Sequence, residues 1–244
     1  MKKAFFAIAT AFLLTTMLSM RPVADENVSD SELLGKAIDY FQSGKFHEAL
    51  LIFDKLDRRY KLHPRFRAFI AVCHYYDWND EQTCEYLDSL IPQLEPFAPH
   101  ERSIYYYINA ESHFNLKQYE QAIPYYEQAL NVCYDNEKSD AFYRMGYCYL
   151  FNNDTVTATE YFQAALDYYR RFRNTNADQP RIAQIQTMIR SLAPEHNAVW
   201  QANNQQQLPT DPQTVRDTLR RRIINDIDLS DIFQNQIIVE DTVE

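Results

Sequence analysis

The sequence predicts an all-α chain: a helical solenoid of about four helix pairs, closed by a capping helix and followed by a partly helical tail. Three observations predict it. A unit of two short helices recurs four times between Ser31 and Tyr169. In every copy two small residues stand 12 positions apart, where the paired helices cross. Glycine is nearly absent, with only Gly35, Gly44 and Gly146 in 244 residues, which excludes the phosphate-binding classes that need clustered glycines. A single pair cannot bury its own apolar face and needs a neighbouring copy, so the unit implies a stack.

The chain begins MKKAFFAIATAFLLTTMLSM, with Lys2 and Lys3 ahead of an uncharged apolar run. This is the layout of a secretory signal, expected over residues 1–24. The chain is therefore expected to be exported, to the periplasm or cell envelope if it is bacterial. Left uncleaved, the run is near the lower limit for spanning a bilayer, and membrane contact is expected only in that case. Loss of Lys2, Lys3 and Arg21 takes the formal charge from −10 to −13. Nucleic-acid binding needs cations to displace counterions, so an acidic body is not expected to take such a partner.

The solenoid with its capping helix is expected over residues 30–193. The small residue of the first helix is Ala37, Ala71, Ala110 and Gly146 in turn, and that of the second is Ala49, Thr83, Ala122 and Ala158. A ring follows the first small residue by three: Tyr40, His74, His113 and Tyr149. A large apolar residue follows the second by four: Phe53, Leu87, Tyr126 and Phe162. Leu56, Leu90, Ala129 and Ala165 lie three further on. Offsets of three and four keep these residues on one helix face. The segment IPQLEPFAPHER, with Pro92, Pro96 and Pro99, reads as an extended turn. Asp178 and Pro180 read as the start of the capping helix, with Asp178 as its cap. Its inward stripe is Ile182, Ile185, Met188, Ile189 and Leu192, as the end of a solenoid needs.

Residues 194–210 read as a polar linker. Residues 211–244 form a tail with an amphipathic helix, whose apolar positions are Val215, Leu219, Ile223 and Ile227. A tail this apolar either folds back onto the solenoid or docks on a partner.

The repeat resembles the tetratricopeptide repeat family. The last copy carries the family pattern at Phe142, Met145, Gly146, Tyr149, Ala158, Phe162 and Ala165. The third carries it at Tyr106, Ala110, Ala122, Tyr126 and Ala129. The copy around Ala71 departs from it, with Thr83 and Leu87 where the family has Ala and Phe. The resemblance implies a right-handed solenoid whose first helices line a concave groove. Carried over position by position, that groove includes Arg65, Tyr75, Tyr107, Glu111, Phe114, Tyr143, Arg144, Tyr147 and Phe151. The resemblance implies a non-enzymatic scaffold that binds a protein or peptide through this aromatic face, with Glu111 and Arg144 setting its polarity. Replacing Tyr107 and Tyr147 by Ala is expected to weaken capture and leave the fold intact. The alternative is a structural subunit of an envelope complex, docked through its tail. Glycan or small-molecule binding is the weaker third reading, because Trp78 and Trp200 fall outside the groove.

No catalytic residue, metal site or cofactor is expected. The chain has no G-x-S-x-G, no H-E-x-x-H and no two His three or four residues apart. His74 and His113 read as packed rings of the repeat. Cys73, Cys84, Cys133 and Cys148 are even in number, which permits disulfides in an exported chain. Their places inside helices read instead as small buried residues.

Overall fold

A computed structural model of the protein describes residues 29–193 and 212–226. The expected signal, the linker, Trp200 and Ile227 lie outside the described residues. Those residues form ten α-helices and one short 3₁₀ turn, with no strand among them.

Eight helices form four consecutive pairs. They are α1 (Asp30–Gln42) with α2 (Phe46–Tyr60), α3 (Pro64–Tyr76) with α4 (Asp80–Leu90), α5 (Pro99–Asn115) with α6 (Tyr119–Val132), and α7 (Asp135–Phe151) with α8 (Thr155–Phe172). Each pair packs on the next, and α9 (Gln179–Ser191) closes the stack against α8. The last described helix, α10 (Pro212–Asp226), returns to pack against α5.

Local chemistry sets the helix ends. Ser29 and Glu32 form a capping box on α1, with the Ser29 hydroxyl accepting from the Glu32 amide at 3.2 Å and Glu32 accepting from the Ser29 amide at 2.9 Å. Pro64 and Pro99 open α3 and α5, where a missing N–H costs nothing. The expected extended turn is therefore shorter than IPQLEPFAPHER. It runs through a 3₁₀ turn at Ile91–Gln93 and ends where Pro99 starts α5. Asp178 does not cap α9 with its side chain. Its carboxylate turns back to accept from the Thr175 amide at 3.2 Å and to pair with Arg173 at 3.1 Å.

The turn inside each pair is the same turn four times. Gly44, Trp78, Lys117 and Asn153 occupy equivalent places, and all have left-handed φ, between 61° and 68°. The next amide reaches back over the turn to the carbonyl of the ring position: Lys45 to Tyr40, Asn79 to His74, Gln118 to His113 and Asp154 to Tyr149, at 2.8–3.0 Å. This is the Schellman geometry, which satisfies carbonyls left open at a helix end.

The small residues do what their spacing implies. Ala37, Ala49, Ala71, Thr83, Ala110, Ala122 and Ala158 are fully buried. A Cβ on Gly146 would stand 2.7 Å from the Phe162 ring, so α7 and α8 approach as closely as they do only because that residue is glycine. In the divergent copy Thr83 fits because its hydroxyl donates to its own helix, to the Asn79 carbonyl at 2.9 Å. The ring positions also pair across three of the four crossings at a spacing of 12. His74 lies on Tyr86, His113 on Tyr125 and Tyr149 on Tyr161, with centroids 5.1–5.6 Å apart. The His113 ring is held by Gln118 at 2.6 Å and Asp88 at 3.1 Å, which makes it a packed, bonded ring.

The two helices of a pair are buried differently. The second helices bury one stripe, such as Ala122, Tyr126 and Ala129 in α6. The first helices of the two middle pairs are buried in unbroken runs, Ala68–Tyr75 in α3 and Ser103–Phe114 in α5, whereas α1 buries only Leu34, Ala37, Ile38 and Phe41. A run that covers every direction around a helix marks an inner layer with neighbours on both sides. One side is the second helices. On the other side, α10 lies against α5.

Candidate functional site

Seven of the nine residues expected to line the groove are buried: Tyr75, Tyr107, Glu111, Phe114, Tyr143, Arg144 and Tyr147. Arg65 and Phe151 are partly exposed. The buried ones satisfy one another. Arg144 on α7 donates from Nε and Nη2 to the two carboxylate oxygens of Glu111 on α5, both at 2.8 Å. Its guanidinium lies 4.6 Å from the Phe114 ring centroid, and the Tyr126 hydroxyl donates to Glu111 at 2.5 Å. Burial works against the charge on Arg144, and the adjoining Glu111 carboxylate outweighs it, so the guanidinium pKa sits well above its ordinary value. Two-pronged pairing with extra hydrogen bonds is what a fully buried ion pair needs.

The tyrosines are packed in the same way. Tyr107 meets Tyr126 edge-on at 5.5 Å, and Tyr147 meets Phe162 at 5.0 Å. Tyr143 lies under the Arg181 guanidinium of α9 at 4.3 Å. Tyr107 and Tyr147 are only 6 and 3% exposed, so their loss to Ala empties core space. Truncating a buried aromatic costs about 3–5 kcal/mol, so the expectation that this pair can be removed without harming the fold is corrected. Arg65 pairs with Glu101 at 3.0 Å and ties α3 to α5.

The described residues bring a protein segment to the inner face at one place, the seat of α10. Arg216 enters between α3 and the α3–α4 turn and is 1% exposed. Its Nε donates to the Tyr75 carbonyl at 2.7 Å and its Nη2 to Asp80 at 2.8 Å. The guanidinium is 4.2 Å from the Tyr75 ring centroid and 3.8 Å from that of Trp78. The Tyr76 hydroxyl donates to the Arg216 carbonyl at 2.9 Å. One turn on, Arg220 donates to the Gly44 carbonyl at 2.6 Å and lies over Phe46. Leu219 and Ile223 are each 1% exposed and supply the apolar side of the seat. Residues 212–226 of the tail therefore fold back onto the solenoid.

Sequence reasoning missed Trp78, Asp80, Arg216 and Arg220. One signal was available. Trp78 occupies the turn position that Gly44 occupies one repeat earlier, and a bulky residue is rare in a left-handed turn.

Beside α10 a cleft of ≈ 350 Å³ stays open, with His47, Asp77 and Trp78 on one wall and Gln213, Asp217 and Arg220 on the other. Its His47 pairs with Asp77 at 2.6 Å, and that hydrogen bond raises the imidazole pKa. Cys73, Cys84 and Cys148 are buried thiols without disulfides, and burial pushes their pKa values up, away from reactivity. Among the described residues no group of His, Cys, Asp and Glu is arranged to hold a metal, and no helix is long and apolar enough to cross a membrane.

Comparison with known proteins bears on the fold. Residues 101–171 match the tetratricopeptide repeat family. Solved structures of MamA share the architecture. MamA of AMB-1 is 9% identical, with a TM-score of 0.55 over 86% of this chain and 100% of that one. MamA of MSR-1 is 12% identical, with a TM-score of 0.53 over 79% of this chain and 97% of that one. Comparison with curated protein sequences gives no match.

Proposed function

We propose that this chain, a tetratricopeptide repeat protein, is an exported, non-enzymatic scaffold whose inner face receives a helical segment of another protein. The fold itself is that of a protein-interaction scaffold. One observation carries the finer reading. The inner face already holds an amphipathic helix, α10, through buried guanidinium, ring and carbonyl contacts. A helix is thus the kind of ligand this surface accommodates, as in other grooves that read one face of a helix. The aromatic residues expected to touch a partner act in this reading from below: they stiffen the inner layer on which the helix lies.

Two measurements test it. N-terminal sequencing of the chain recovered from fractionated cells should find a mature start near Asp25 in an exported fraction; a chain that keeps Met1 in the cytoplasm overturns the export reading. Affinity isolation of the full chain, beside a chain lacking residues 210–244, should recover one protein partner with both. A partner lost with the tail supports the alternative, a subunit docked through that tail.

A further inference from the structure

We infer that the seat of α10 is an exchangeable docking site for a partner's amphipathic helix carrying two arginines four residues apart, and that residues 212–226 are its resident stand-in. This rests on the reading of the chain as a protein-binding scaffold. Every part of the seat that grips an arginine comes from the solenoid: the Tyr75 carbonyl, Asp80 and the Trp78 ring for the first, the Gly44 carbonyl for the second. Two carbonyls and one carboxylate, sandwiched by rings, match a planar guanidinium far better than an ammonium. The spacing between the two grips is one helical turn. The acidic body adds complementarity to a basic helix.

Three features show that the solenoid is shaped for a ligand and that α10 is an incomplete one. Trp78 holds a left-handed φ of 61° with its side chain half exposed. That turn is the one Gly44, Lys117 and Asn153 share, so what sets Trp78 apart is its indole, whose only ring or cation contact among the described residues is Arg216. The Arg216 Nη1, although buried, has no hydrogen-bond partner among the described residues. The open cleft beside the helix leaves room that α10 does not fill. A partner helix that fills the cleft and completes the arginine's hydrogen bonds has an advantage over the tail, which in turn has the advantage of being tethered.

The test is a labelled peptide with the sequence of residues 212–226, read by fluorescence anisotropy against full-length chains. The wild-type chain should bind it weakly. The chain with Arg216→Ala and Arg220→Ala, its own helix released, should bind at least about tenfold tighter. Adding Trp78→Ala to that chain should cost about tenfold in affinity, and a peptide carrying the same two Ala substitutions should not bind. Equal binding of both peptides, or no binding to the released chain, overturns the inference. If the substituted chain is unfolded by circular dichroism, hydrogen exchange of the wild-type chain decides. Peptide at about millimolar concentration, comparable to that of a tethered segment, should speed exchange of residues 212–226, and no change overturns the inference. Should the arginine peptide fail while the full chain still isolates its partner, the docking inference falls and the scaffold reading stands.

Discussion

Two arginines are buried on the inner layer, and they are held differently. Arg144 is gripped along its Nε–Nη2 edge by both oxygens of Glu111, from within the solenoid, and the Tyr126 hydroxyl donates to the same carboxylate. Arg216 comes from the far end of the chain, bonds Asp80 with one nitrogen and leaves another without a partner. The first arrangement joins two repeats, α5 of one to α7 of the next. The second has the chemistry of recognition: directional, planar and short of saturation. Burial alone does not tell a structural arginine from a ligand arginine. The origin of its partners does: Arg144 is bonded within the array, Arg216 comes from a helix outside it.

The largest expected effect comes from breaking the structural pair. Arg144→Ala should cost about 3–5 kcal/mol in urea unfolding, because Glu111 is left charged and buried. Replacing both at once, with Arg144→Met and Glu111→Leu, should cost less than the single change; a greater loss from the double variant would mean that the ion pair itself holds α5 to α7. Arg216→Ala should act on another scale. Asp80 keeps the Asn115 amide as a donor at 3.1 Å, so the solenoid should unfold at nearly the wild-type urea midpoint. Amides of residues 212–226 should instead exchange at least about tenfold faster by mass spectrometry. A midpoint lowered as far as that of Arg144→Ala would erase the distinction drawn between the two arginines.

Trp78→Gly separates the two roles within one residue. Relief of the left-handed turn should stabilise the solenoid by about 1 kcal/mol, while loss of the indole loosens α10. Stability and tail protection should therefore move in opposite directions, and parallel movement would count against a strained, ligand-facing turn. The smallest effect concerns His47. Its pKa is raised by the hydrogen bond to Asp77, so the stabilisation is full below the unfolded value of about 6.5 and fades as pH rises through the folded one. His47→Gln should lower the melting temperature slightly at about pH 5.5 and leave it unchanged near pH 9. A difference that grows with pH would reverse this sign.

The repeat was legible because it is local and recurs. Ala37 and Ala49, or Gly146 and Ala158, meet across one turn, and the same meeting happens four times, so spacing alone reveals it. Glu111 and Arg144 were found as polar residues on first helices, yet their role was not. Periodicity places a side chain on a face without saying what covers that face, and here the inner layer is covered from both sides. The seat of α10 was illegible for a different reason. Arg216 meets Asp80 across 136 residues, once, and a single long-range contact leaves no period behind. Trp78 becomes informative only when the turn it shares with Gly44 is seen to be left-handed in both.

The return of α10 also changes how the stack comes apart. A linear array gains stability from nearest neighbours, so its two ends fray independently. Here Arg220 reaches Gly44 across 176 residues and ties the last described helix to the first pair. Closing so wide a loop is entropically costly and comes late in folding, after the pairs it bridges are in place. Once made, the tie holds the α1–α2 turn from outside the array, and that turn gives up a hydrogen bond at the Gly44 carbonyl when residues 212–226 are released.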